Sequence, residues 1–267
     1  MNVAIQVDDS ALLPLLEKIL PPLAVKTRSG KSDCRYAIQR TPRGFRVRLH
    51  DGRIVSAKNH AAAVDLIEGE IQLAVAASCR KFIFVHAGVV ALDGCAIVIP
   101  GRSFSGKSTL VRALIERGAI YYSDEYAVVD ARGWVRPFPR PLSLRTAAGP
   151  ALRVDAQKLG KKVGVRAVPV GLVVLTRFQV GGRFQPRDVS PGQAVLELFD
   201  NTVPARRAPA QALHCLHRAV RNAVCLKSPR GEAARTAKIL FERLNDLTKS
   251  GNQVRKKRAL TKAQKAV

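Results

Sequence analysis

Residues 101–108, Gly101-Arg102-Ser103-Phe104-Ser105-Gly106-Lys107-Ser108, fit G-x-x-x-x-G-K-[ST], a loop whose composition suits it to hold phosphate. Its glycines let successive backbone N–H groups turn inward to form an anion nest, and a helix starting at the loop adds the positive end of its dipole. In that geometry Lys107 bridges the β- and γ-phosphates of a nucleotide, Ser108 ligates magnesium, and Gly101 through Thr109 form the nucleotide-binding segment. Asp124-Glu125 follows 17 residues after Lys107, at the end of the next apolar segment. One carboxylate beside magnesium can ligate it, while its neighbour accepts the proton of an attacking hydroxyl or water. His86 precedes Gly101 by 15 residues, on a segment that folds back toward the loop. A lone histidine at a strand end is more often a hydrogen-bonded core residue than a catalytic one.

Such a loop needs a strand to feed it and a helix to leave it. FIFVHAGVVAL and CAIVIP read as two paired strands joined by Asp93-Gly94, and the second ends at the loop. An amphipathic helix is expected from Lys107 to about Arg117, closed by Gly118. AIYYSDEYAVVD reads as one or two short strands around the acid pair, and WVRPFPRPLSLR, with three prolines, as an extended loop. VPVGLVVLTRF has the continuous apolar character of a central strand, and Ser190-Pro191 opens a helix. Helical patterns return over Pro209 to Val220 and Gly231 to Leu247, separated by the strand candidate NAVCLKS. Upstream, a hairpin around Thr41-Pro42-Arg43-Gly44 and a helix from Ala57 to Ser78 suggest a small α+β unit. The expected division is therefore 1–80, 81–248, and a basic disordered tail over 249–267.

The 267 residues are 47% hydrophobic and 24% charged, which excludes wholesale disorder and a collagen-like repeat. Lys plus Arg exceed Asp plus Glu by 45 to 20, a net charge of +25, of which the acid-free tail carries seven. That charge admits anionic partners, but aromatic content is only 5% and no stacking motif accompanies it, so nucleic acid is a secondary expectation. Five cysteines without a C-x-x-C pair fit neither a disulfide framework nor a zinc ribbon, and they suggest reduced thiols in a cytoplasmic protein. Asp8 and Asp9 stand where an export signal carries basic residues, and no apolar run reaches the roughly 18 residues of a membrane span. His214 and His217, near Cys215 and Cys225, read as a chance pairing on a helix rather than a metal site. Arg136, Arg140 and Arg145 follow the acid pair, where an arginine stabilises a transferring phosphoryl group or simply faces solvent. Trp134 is expected to pack. The Ser-Gly-Gly helix start of transporter ATPases and the Asn-Lys-x-Asp of GTPases are both missing from the sequence.

Taken together, HAGVVALDGCAIVIPGRSFSGKSTLVRALIERGAIYYSDEYAVVD resembles the catalytic core of the HPr kinase/phosphorylase family and its kinase-like relatives. The match rests on His86, the phosphate loop, Arg117-Gly118 and Asp124-Glu125, within residues 80 to 145. The resemblance implies an α/β P-loop domain of the HPr kinase/phosphoenolpyruvate carboxykinase type, with parallel strands and flanking helices. It implies that Asp124 is the acid/base at the accepting hydroxyl, His86 its partner and Glu125 a magnesium ligand, with Lys107 and Ser108 in their loop roles. Glu125 stands where the bifunctional enzymes have Asp, and no segment matches their loop for the reverse reaction, so phosphorylase activity is not expected. The expectation is an ATP- and Mg2+-dependent kinase acting on a serine of an unidentified protein or peptide, with homo-oligomerisation left open. Two other classes stay open: a nucleotide-binding regulatory module without transferase activity, and a nucleic-acid-associated ATPase.

Overall fold

A computed structural model of the chain describes residues 1–21, 24–27, 30–102, 105–146, 149–154, 156, 162–203, 205 and 207–246. Ser103 and Phe104 of the phosphate loop and the basic tail lie outside the described residues. The chain divides into two compact units, Met1–Arg80 and Lys81–Val267.

The first unit is a four-stranded sheet of β1 (Val3–Val7), β2 (Cys34–Thr41), β3 (Gly44–Arg48) and β4 (Ile54–Ala57) in that order. β1 runs parallel to β2, and the remaining pairs are antiparallel. A short 3-10 turn at Ser10–Leu12, α1 (Leu13–Ile19) and α2 (His60–Ser78) supply its core through Leu12, Leu16, Ile67 and Ile71, against Ile38 and Val47 of the sheet. α2 starts three residues later than its apolar pattern suggests. Ala57 belongs to β4, and the Asn59 side chain accepts from the Ala62 N–H as an N-cap.

In the second unit, β5 (Ile83–Leu92) and β6 (Cys95–Pro100) form a hairpin. Asp93 (φ 48°) and Gly94 (φ 78°) both take the left-handed conformation that matches such a turn to strand twist. The order continues with α3 (Lys107–Glu116), β7 (Ile120–Ser123), β8 (Tyr126–Val129), β9 (Trp134–Arg136), and a separate β10 (Leu142–Thr146) and β11 (Gly149–Val154) ribbon. β12 (Val168–Phe178), β13 (Arg187–Asp188), α4 (Pro191–Asp200), α5 (Pro209–Val220), β14 (Val224–Arg230) and α6 (residues 233–246) complete it. A capping box at Ser190 and Gln193 opens α4.

The main sheet runs β13-β14-β12-β6-β5-β8-β9, with β7 also on β5 and β9 also on the start of β12. Strand directions depart from the expected parallel sheet: β6, β12 and β14 are parallel, while β5 is antiparallel to β6, β7 and β8. The tight Asp93-Gly94 turn makes β5 and β6 antiparallel, because consecutive parallel strands need a long crossover. The Pro-rich segment also departs from a pure loop. Residues 134–136 precede the prolines, keep their N–H groups, and pair with both β8 and β12. Trp134, expected to pack, is 37% exposed on that strand, with the Arg132 guanidinium 4.7 Å from its ring centroid.

Each face of the sheet buries a separate apolar cluster. Val89, Val98 and Val173 pack with α4 and α5, while Val90, Ile97, Ile99, Leu172 and Val174 pack with α3 and α6. Among the described residues no helix is long and apolar enough to cross a membrane.

Candidate active site

The site is assembled around one residue of β5. The His86 carbonyl accepts from the Gly101 N–H at 3.1 Å, and the next residue, Ala87, donates its N–H to the Glu125 carbonyl at 3.1 Å. The hairpin thus brings His86 to the start of the phosphate loop, and the β5–β8 ladder brings the acid pair to His86. At the helix start, Gly106 is the N-cap of α3 with φ 85°, a conformation that costs a side-chain-bearing residue about 1–2 kcal/mol. Its carbonyl accepts from the Leu110 N–H at 3.2 Å and from Arg230 Nη2 at 2.7 Å.

Lys107 Nζ donates to the carbonyls of Gly101 at 2.7 Å and Arg102 at 2.9 Å, so the ammonium closes the loop on itself. Burial lowers the pKa of Lys107, while the charges of Glu125 and Asp124 oppose that fall. Ser105 Oγ is buried and has no hydrogen-bond partner among the described residues. An orphaned hydroxyl costs about 1–3 kcal/mol, and phosphate oxygens would satisfy it.

The two acids divide. Glu125 Oε1 lies 3.5 Å from His86 Nδ1, and the His86 ring tilts against Tyr126 at 4.6 Å. Asp124 is only 5% exposed and accepts from the Tyr121 hydroxyl at 3.1 Å. The Tyr121 proton is shared with the nearer Arg140 carbonyl at 2.7 Å, so Asp124 receives the weaker part of it. His86, expected as the partner of Asp124, stands beside Glu125 in this structure. The register of β5 with β8 sets His86 opposite Tyr126, which carries the preceding Glu125 alongside the ring, whereas Asp124 meets Tyr121, three residues back on β7.

Ser108 lies partly buried in the first turn of α3, and Thr109 is exposed beside it. Arg140 is buried, but Arg136 turns to Asp130 at 3.5 Å and to the Phe82 ring at 5.1 Å. The Arg145 side chain is outside the described residues. His214 and His217 are exposed on α5, Cys215 and Cys225 are buried, and all five thiols are free. Among the described residues no cluster of three or more His, Cys, Asp or Glu is placed to hold a metal.

Sequence reasoning missed two residues at this site. Arg230 is only 2% exposed, donates to the carbonyls of Gly106 and Gly231, and stands 5.5 Å from the Phe178 ring centroid. Phe178 ends β12, and its N–H donates to the Ser105 carbonyl at 3.4 Å. The one local signal was an arginine before a glycine at the end of a strand. Phe178 lines a cleft of about 1250 Å³ together with Gly101, Arg102 and Ser105, at the carboxyl ends of β6, β12 and β14 or in the segments that follow them. Open α/β sheets bind ligands at that end.

No family model matches the chain, and no curated protein does. Among solved structures it is similar to the HPr(Ser) kinase/phosphatase from Coxiella burnetii, at 18% identity over 64% of this chain and 94% of that one, with a TM-score of 0.33. The functional reading therefore rests on the site's own geometry.

Proposed function

We propose that the second unit transfers the terminal phosphoryl group of ATP to a hydroxyl, with the serine of a protein or peptide as acceptor, as the resemblance to HPr kinase implies. The observation that carries this reading is the G-x-x-x-x-G-K-S loop at the start of α3, tied through β5 to the acid pair: the His86 carbonyl accepts from Gly101, and the next N–H, of Ala87, donates to the Glu125 carbonyl. Phosphoryl transfer asks the protein mainly for positioning and charge stabilisation, which such a constellation provides. When nucleotide arrives, Lys107 exchanges two carbonyls for phosphate oxygens, and Ser105 Oγ gains a partner.

Ser108 and Glu125 would hold magnesium, which would supply charge neutralisation to the nucleotide's phosphates. Asp124 keeps the role of base. It is the less exposed acid, screened from bulk water, and takes its proton from the acceptor rather than from solvent. His86 supports Glu125, not Asp124, in this arrangement.

The test is incubation of the full chain with γ-labelled ATP, magnesium and a lysate of its source organism. A labelled acceptor is expected with the wild type and absent with Asp124→Asn, which retains ATP binding. Transfer by Asp124→Asn at the wild-type rate would remove the base assignment. Unchanged ATP affinity in Lys107→Ala would remove the phosphate-loop reading itself.

A further inference from the structure

We propose that Phe178, braced by Arg230, is the platform on which the base of the bound nucleotide stacks; this rests on the nucleotide reading above. Phe178 is the exposed phenylalanine among those described, at 47%, although full burial of such a ring would stabilise the fold by about 1.5–3 kcal/mol. A single exposed apolar side chain is ordinary on a protein surface. This one stands in the cleft shared with Gly101, Arg102 and Ser105, and it is held there. Its N–H is tied to the Ser105 carbonyl, and the Arg230 guanidinium, itself buried and bonded to the Gly106 carbonyl, lies against its ring.

Topology says which part of the nucleotide comes here. In the sheet, β6 delivers the phosphate loop, β5 and its neighbours β7 and β8 deliver the acids on one side, and β12 delivers Phe178 on the other. A triphosphate lying in the loop with its γ end toward Asp124 and Glu125 carries its nucleoside toward β12. The amides of Gln179 and Gln185 line the same cleft and can meet the hydrogen-bonding edge of a purine. The acceptor hydroxyl belongs at the opposite end, beside the acids.

The experiment compares ATP with inorganic tripolyphosphate, each with magnesium, by calorimetric titration of the wild type, Phe178→Ala and Phe178→Trp. Phe178→Ala is expected to weaken ATP binding about tenfold, within the range measured for loss of one base–aromatic stack, and to leave tripolyphosphate affinity unchanged. Phe178→Trp is expected to bind ATP at least as well as wild type, with added tryptophan emission that ATP quenches and tripolyphosphate does not. Equal loss of both ligands in Phe178→Ala would make the ring a mere support of the loop and overturn the proposal, as would unchanged ATP affinity. If the wild type binds neither ligand, the nucleotide reading falls and takes this one with it; tripolyphosphate binding without any gain for ATP removes the platform alone.

Discussion

Replacing Gly106 with alanine adds one methyl group at the point where the phosphate loop becomes α3, and the structure sets the cost. A Cβ there would overlap Arg230 Nη2 and stand 3.4 Å from both Arg230 Cζ and the Cβ of Phe178. The guanidinium must move, and in moving it gives up its 2.7 Å bond to the Gly106 carbonyl. Losing that charge-assisted bond costs about 1.5–3 kcal/mol, and holding alanine at φ 85° about 1–2 more. The reduced freedom of the unfolded chain returns about 0.4–1 kcal/mol. The net is a destabilisation of about 2–4 kcal/mol. Trp134, the single tryptophan, lies in the second unit, so urea unfolding followed by its emission reports that unit separately from the first. The Arg230→Ala variant supplies the decisive comparison. If the methyl acts by expelling the guanidinium, Gly106→Ala in the Arg230→Ala background costs about 2 kcal/mol less than in the wild type, because the bond it would break is already gone. Additivity of the two changes within about 0.5 kcal/mol would refute the reasoning.

The same assay tests the packing of α3 against β5: a Cβ on Gly88 would stand 2.6 Å from Val111 Cγ2, so Gly88→Ala should cost about 1–3 kcal/mol and Val111→Ala in that background should recover part of it. No recovery would show that the contact is not the cause. Tyr121→Phe removes the proton shared by Asp124 and the Arg140 carbonyl; in the proposed transfer reaction kcat should fall about tenfold with the KM for ATP unchanged, and a change confined to KM would count against a positioning role. Burial pushes the Cys225 thiol from 9.0 up to about 11, so between those pH values the folded chain keeps a proton that the unfolded chain releases. Stability is then fully supported by this group below pH 9 and falls as pH rises toward 11, by up to about 2–3 kcal/mol in total. Cys225→Ala should flatten that alkaline slope, and an unchanged slope would assign it to other groups.

Local physics is strong at some points of this chain and silent at others. The left-handed Asp93-Gly94 turn, the phosphate-loop spacing with a helix starting at Lys107, the Ser190 cap and the apolar run of β12 are each set by a few neighbouring residues, and they could be read from the sequence in order. The neighbourhood of His86 could be read only halfway. A hairpin predicts that His86 returns to Gly101, but whether it then meets Asp124 or Glu125 depends on the register of β8, and a shift of one residue exchanges the two acids. The direction of β7 and β8 against β5 escaped for a similar reason, since apolar runs do not encode the direction of their partners. Residues 134–136 became a strand because β8 and β12 offer edges there, a fact that lies in neither the prolines nor the tryptophan. Arg230 reaches Gly106 across 124 residues, and Phe178 reaches the loop only because β12 pairs with β6. The chain's linear order supplies the reactive side chains, namely the G-x-x-x-x-G-K-S segment with its lysine, two acids and a histidine. Which of them touch, and what braces them, comes from the folded sheet, because contacts between distant strands depend on the burial of the whole sheet and not on any local pattern.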